Sequence, residues 1–287
     1  MVSTRFPFLQ VKYINRLTLN YIWQKMELST KSGIVEQTVD IDNFKINYTK
    51  VGNGSHNLIL LPGAFGTIQT DFKPQLEGLD KRKYTLIAFD PPGYGKSRPP
   101  ERIFTKDFYH KDALVAGKLM ETVGFKEYSI LGWSDGAISG LILADICKSN
   151  VKKLISYAGN CYLSHKDLEI MKSIRDTTKW SEKMRKPMEN IYGQEYFAKM
   201  VSVWVDTLLD IGKTNGGDIC KSSLSNIIAP TLVLQGDKDP VVPIEHAEYL
   251  AKNIPNSVLH VYKGGNHVIH LRYPEEFNKI VDEFLSI

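Results

Sequence analysis

The short apolar run Tyr128 to Leu131 leads straight into Gly132-Trp133-Ser134-Asp135-Gly136, and the stretch Ala137 to Lys148 beyond it reads as a helix. A chain that passes from strand to helix in so few residues must turn sharply. Glycines on both sides of the serine give the turn room, and neighbours without Cβ atoms relieve the strained backbone that holds the Ser134 hydroxyl out toward a ligand. A G-x-S-x-G by itself also describes an idle serine in a glycine-bordered turn, so its meaning depends on the rest of the chain.

The remaining sequence repeats the same rhythm. Val35 to Ile41 and Phe44 to Val51 read as an antiparallel pair around the Asp42-Asn43 turn. Short strands follow at Asn57 to Leu61, Tyr84 to Phe89, Tyr128 to Leu131, Lys153 to Tyr157, Thr231 to Gln235 and Val258 to Tyr262. Helical spacing appears around Phe72, Leu76 and Leu79, and from about Lys106 to Val123 through Ala113, Val115 and Leu119. Such alternation predicts an α/β fold, a mostly parallel sheet with helices on both faces. The rhythm breaks between Ser164 and Ile227, where only helical stretches rich in Lys, Arg and aromatics occur, among them Trp180, Tyr192, Phe197 and Trp204. The expected organisation is a core of residues 34–163 and 228–287 with a helical lid, 164–227, over the strand C-terminal ends. Its aromatics read first as glue between lid and body.

Composition narrows the partners. A net charge of +4 over 287 residues, with Lys81-Arg82-Lys83 and Lys152-Lys153 as turn charges, does not describe a nucleic-acid binder. Cys147, Cys161 and Cys220 are odd in number and lack metal-ligand spacing, which predicts free thiols and no metal or other cofactor. No apolar run approaches the roughly 20 residues that span a bilayer. Nothing marks a partner chain, and a monomer is the expectation. Residues 1–33 carry Arg5, Lys12, Arg16, Lys25 and Lys31 against the single acid Glu27. That composition suits a mitochondrial transit peptide, the alternative being a flexible arm on a cytoplasmic protein.

Ser134 needs a base, since a hydroxyl is a poor nucleophile until its proton is removed. Where the serine stands on a strand–turn–helix, its partners follow in the order Asp or Glu, then His. The strand ending at Gln235 runs into Gly236-Asp237-Lys238-Asp239-Pro240, and the strand ending at Tyr262 runs into Gly264-Gly265-Asn266-His267. Both loops leave the same sheet edge as Ser134. Asp239 is the favoured acid, with Asp237 as a turn former, and His267 is favoured over His270. An oxyanion needs two N–H donors: Asp135, the residue after the nucleophile, and Ala64 in the loop Leu61-Pro62-Gly63-Ala64-Phe65-Gly66. The loop Asp90 to Ser97 lacks the spacing of a phosphate-binding loop and reads as structural.

With these residues placed, the chain from about residue 35 onward resembles the α/β-hydrolase family. The resemblance is carried by Leu61-Pro62-Gly63, Phe89-Asp90-Pro91 through Ser97-Arg98-Pro99-Pro100, the Ser134 pentapeptide, Ile174-Arg175-Asp176 with Lys179-Trp180-Ser181-Glu182, Gly236 to Pro240, and His270-Leu271-Arg272. It implies a serine hydrolase of small α-amino acid esters with a mitochondrial address. Ala137 departs from the pattern, which has a further glycine there. Two alternatives remain at this stage: a carbon–carbon bond or general carboxylesterase-type hydrolase, and a non-catalytic hydrolase-like binding protein.

Asp135 has two readings. A carboxylate about 5 Å from a developing oxyanion repels it by roughly 3 kcal/mol at an effective dielectric near 20. A substrate ammonium against Asp135 removes that penalty, which makes Asp135 a substrate-binding residue. Alternatively, the carboxylate only favours the positive N-terminus of the helix it begins.

Overall fold

The computed structural model describes residues 34–287, so the transit-peptide or flexible-arm reading of residues 1–33 lies outside the described residues. An antiparallel hairpin opens the fold, β1 (Glu36–Ile41) and β2 (Phe44–Val51). Asp42 makes its turn at φ 52°, in the left-handed region that Asp tolerates better than most residues. Six further strands follow: β3 (His56–Leu61), β4 (Tyr84–Phe89), β5 (Tyr128–Trp133), β6 (Val151–Tyr157), β7 (Thr231–Gly236) and β8 (Ser257–Tyr262). They form one sheet in the order β1-β2-β4-β3-β5-β6-β7-β8, parallel from β4 to β8.

Strand order reverses at β3, which lies between β4 and β5. Ligands of open α/β sheets bind at such a reversal, beyond the strand C-terminal ends. The loops after β3 and β5 both emerge there. Leu58, Ile59, Leu60, Ile130 and Leu131 are fully buried, as strands covered on both faces require.

Helices α1 (Ile68–Asp71) and α2 (Lys73–Gly78) link β3 to β4, and α3 (Phe108–Thr122) links β4 to β5. Helix α4 (Asp135–Ile146) begins two residues earlier than the sequence spacing suggests, because Ser134 makes the whole turn at φ 54°. It is apolar all round and buried from Gly136 to Ala144. Between β6 and β7 stand α5 (His165–Ile174), α6 (Glu182–Tyr192), α7 (Gln194–Lys213) and α8 (Lys221–Leu224). Among the described residues this segment holds no strand, only an isolated bridge between Tyr162 and Asp218. Helix α9 (Ile244–Asn253) joins β7 to β8, and α10 (Ile269–Arg272) and α11 (Pro274–Ser286) complete the chain.

The inserted helices are fastened over the β3 and β5 loops. Phe197 and Trp204, seven residues apart on one face of α7, set their rings against Phe65 at centroid distances of 5.6 and 5.3 Å. Tyr192 donates its hydroxyl to the Phe65 carbonyl at 2.8 Å and accepts from the Gly95 N–H at 3.1 Å. The Asp90–Ser97 loop is structural: Asp90 accepts from the N–H groups of Ile68 and Lys96, and Ser97 ties Asp90 to Asn47.

Candidate active site

Ser134 stands at φ 54°, ψ −121°, a strained conformation for a residue with a side chain. Its neighbours explain how the chain tolerates it. A Cβ on Gly132 would lie 2.4 Å from the Gly136 carbonyl oxygen, and one on Gly136 would lie 2.0 Å from that of Leu61. Both positions therefore exclude any side chain. Ala137 fits because the residue facing it is Gly159, where a Cβ would come within 2.6 Å of the Ala137 methyl. The missing glycine of the pentapeptide region is thus compensated across the sheet.

His267 Nε2 lies 3.1 Å from Ser134 Oγ, and His267 Nδ1 lies 2.7 Å from Asp239 Oδ2. A hydroxyl, an imidazole and a carboxylate in this chain of contacts can pass a proton from serine to histidine. The Asp239 side chain is fully buried, and its other oxygen accepts the N–H groups of Val241 and Val242 at 2.8 and 3.0 Å. Burial alone would raise its pKa, but the His267 contact and the two N–H donors outweigh it and hold the carboxyl below the usual range. Trp133 Nε1 and the Tyr157 hydroxyl both donate to the His267 carbonyl, at 2.9 and 2.8 Å, and so fix the loop that carries the imidazole.

The two weaker candidates go elsewhere. Asp237 accepts the Gly264 N–H at 2.6 Å and joins the β7 loop to the β8 loop. His270 is fully buried against Trp133, Tyr157 and Phe277, and burial pushes its pKa down to about 3.

The β3 loop passes directly beside the nucleophile. A Cβ on Gly63 would lie 3.3 Å from Ser134 Cβ and 3.0 Å from the Trp133 ring. Among the described residues no hydrogen bond engages the N–H of Ala64, or of Asp135 at the first position of α4. Both N–H groups are thus unengaged, that of Asp135 next to Ser134 in the chain and that of Ala64 next to Gly63. The loop is held from behind by Asp71, a buried residue that the sequence reading passed over. Asp71 Oδ2 accepts the Gly63 N–H at 2.9 Å, and Thr70 donates to Oδ1 at 2.7 Å. Burial raises its pKa to about 7 against those two bonds.

Asp135 does not cap its own helix. Its carboxylate turns toward the inserted helices, where Oδ1 accepts from the Tyr109 hydroxyl at 3.0 Å and Oδ2 from Trp204 Nε1 at 2.9 Å. Burial pushes its pKa up to about 6, and these two donors, with Arg102 further off, oppose the rise. Trp204 is therefore more than glue. A Trp N–H is a donor only and seeks an acceptor when buried, which is the one sequence signal that could have singled it out.

Ser134 and Asp135 line a narrow cleft whose cavity volume is about 30 Å³, room for a water molecule or two. Leu163, Met171, Leu208, Val241 and Val242 give it apolar walls, and Asp167 and His246 close its far side. Its lining holds two carboxylates and, among the described residues, no lysine or arginine. Among the described residues no group of three or more His, Cys, Asp or Glu is placed to hold a metal ion, and no helix is long and apolar enough to cross a membrane.

A parallel sheet that brings a serine from the end of β5, an aspartate from the end of β7 and a histidine from the end of β8 into one chain of contacts defines the serine hydrolase class. The chain belongs to the Alpha/beta hydrolase family, whose model matches residues 58–280. It is 43% identical over 255 residues to serine hydrolase BPHL of Mus musculus, spanning 89% of this chain and 88% of that protein. This is the biphenyl hydrolase-like, or valacyclovir hydrolase, branch that the sequence motifs resemble. A more distant relative is the 2-hydroxy-6-oxononadienedioate/2-hydroxy-6-oxononatrienedioate hydrolase of Burkholderia vietnamiensis, 27% identical across 90% of this chain and 96% of its own length. Among solved structures, the alpha/beta hydrolase MGS-M2 from a deep-sea metagenome library superposes with a TM-score of 0.74 over 88% of this chain and 98% of its own. At 18% identity it speaks for the fold alone.

Proposed function

We propose that this serine hydrolase cleaves small α-amino acid esters through an acyl-enzyme. Ser134 Oγ attacks the ester carbonyl carbon while His267 Nε2 takes its proton, and Asp239 holds the imidazole and balances its charge. The carbonyl oxygen becomes an oxyanion between the N–H groups of Ala64 and Asp135. The C–O bond to the alcohol then breaks, His267 returns the proton to the departing oxygen, and the acyl group remains on Ser134. Water then attacks the acyl carbon as His267 takes its proton, the bond to Ser134 Oγ breaks, His267 returns the proton to Oγ, and the amino acid leaves. The Asp135 carboxylate binds the substrate ammonium and sets the ester over Ser134.

One observation carries the substrate class. Both oxygens of Asp135 meet neutral donors only, so its charge lies beside the nucleophile with no cation in contact. An ammonium supplies the missing charge and cancels the repulsion of the oxyanion. The same observation weighs against a dienedioate acid of the kind named for the Burkholderia relative, because a second carboxylate, Asp167, lines the cleft. The test is a panel of amino acid esters, free and N-acetylated, on the purified protein. Preference for the free amine supports the reading, and equal rates would overturn it. Fluorophosphonate labelling of Ser134 that disappears in His267→Ala tests the serine chemistry separately.

A further inference from the structure

The far side of the cleft carries polar groups that the ester chemistry does not use. Asp167 stands at the third residue of α5 in the inserted segment, and His246 projects from α9 of the core. Their side chains are 5% and 3% exposed, and His246 Nε2 lies 2.8 Å from Asp167 Oδ2. Ser164 gives the same Oδ2 its N–H and its hydroxyl, each at 2.6 Å. Among the described residues no hydrogen bond ends on Asp167 Oδ1, and His246 Nδ1 has no partner. Buried polar atoms are nearly always satisfied, so the vacant Nδ1 of His246 needs a reason.

Both residues line the same cleft as Ser134 and Asp135, together with the apolar Leu163, Met171 and Leu208. Tyr162 packs its ring on His246 at a centroid distance of 4.7 Å and fixes the imidazole plane. Burial raises the Asp167 carboxyl, yet the His246 and Ser164 contacts prevail and hold it low. It is therefore a carboxylate at neutral pH. No lysine or arginine among the described residues pairs with it.

We propose that Asp167, oriented by His246, is a second polar subsite of this cleft, taking a hydrogen-bond donor, ammonium or hydroxyl, that the substrate carries beyond its ester. This deepens the proposed function and rests on its placement of the ester over Ser134. The enzyme then reads two donors, the α-ammonium at Asp135 and a distal one at Asp167, separated by a length of apolar chain. An ester extends past its carbonyl in two directions, through the acyl side chain and through the alcohol, and both can bring such a donor.

The test uses matched esters in two arms. Lysine methyl ester is compared with norleucine methyl ester for the acyl side. Valine 4-hydroxybutyl ester is compared with valine pentyl ester for the alcohol side. The wild type is expected to favour the donor-bearing member in one arm by about tenfold in kcat/KM, the scale of one added hydrogen bond to a charged group. In Asp167→Asn that ratio falls toward one, and His246→Asn moves it the same way. Each ratio is internal to one protein preparation, so partial misfolding does not imitate the effect. A wild-type ratio of one in both arms overturns the proposal, as does an Asp167→Asn variant that slows both members equally and keeps the wild-type ratio. N-acetyl norleucine ester, run alongside, keeps the two readings apart. Loss of the free-amine preference there is a failure at Asp135, whereas a flat donor ratio with that preference intact is a failure at Asp167.

Discussion

Two carboxylates flank the reacting serine, and the regions around them are built on opposite lines. Asp239, in the loop after β7, receives two backbone N–H groups, the Gln235 amide and His267, and its pKa is held low. Asp135, in the turn after β5, receives one phenol and one indole, and burial pushes its pKa up to about 6. The protein answers the first charge in full. It leaves the second to be answered by something that arrives. On the proposed function, a carboxylate kept for internal use and one kept for a ligand are told apart by the number and kind of donors around them.

The comparison can be broken most forcefully at Asp239. Asp239→Asn is expected to lower kcat by about ten-thousand-fold, because the imidazole loses the partner that fixes its tautomer. The loss should be the same for free and N-acetylated esters. A selective loss on free amines would erase the distinction. Asp135→Asn should do the reverse, reducing kcat/KM by about a hundredfold on free amino esters and only a few-fold on N-acetyl esters, the scale for removing one partner of a desolvated charge pair.

Stability separates the two sites again. Folding raises the Asp135 pKa from 3.8 to about 6, so its ionisation opposes folding above pH 4 and does so fully above pH 6. Replacement by Asn should then stabilise the protein at pH 8 by about 1–3 kcal/mol and give little at pH 4, each pKa unit being worth about 1.4 kcal/mol. The shift at Asp239 has the other sign. Its contribution is present above pH 4 and lost as acid protonates it, so Asp239→Asn should destabilise at pH 8. Urea unfolding at the two pH values measures both. The smallest effect is expected from Trp204→Phe, which removes one donor to the charged form of Asp135. The free-to-N-acetyl rate ratio should then lose its acid limb about one pH unit higher than in the wild type. An unmoved limb would mean that the indole only packs.

The juxtaposition of Ser134, His267 and Asp239 was legible because each follows an apolar strand within a glycine-bearing loop, and strands of a parallel sheet end on one side. Gly132, Gly236 and Gly265 mark those exits in the sequence. The surroundings of Asp135 were not legible. Tyr109 and Trp204 lie 26 and 69 residues away, on elements whose mutual orientation no local pattern encodes. Asp71 was missed for a different reason. It follows Thr70 at the end of a single helical turn, where an acid usually marks solvent, and only the buried return of the loop onto it reveals an anchor. The start of α4 was displaced because spacing rules assume that a turn needs several residues, and Ser134 does it alone.

The Trp204 contact joins a charge to a piece of architecture. Its indole favours the ionised form of Asp135, and by reciprocity the ionised form of Asp135 favours the indole. The α7 helix is therefore held against the nucleophile turn partly by the charge that a substrate amine would engage. Acid that discharges Asp135 loosens that hold, and under the proposed function it removes the charge an amine would meet, so anchorage of the inserted helices and the proposed sensing of an amine are one equilibrium measured from two ends.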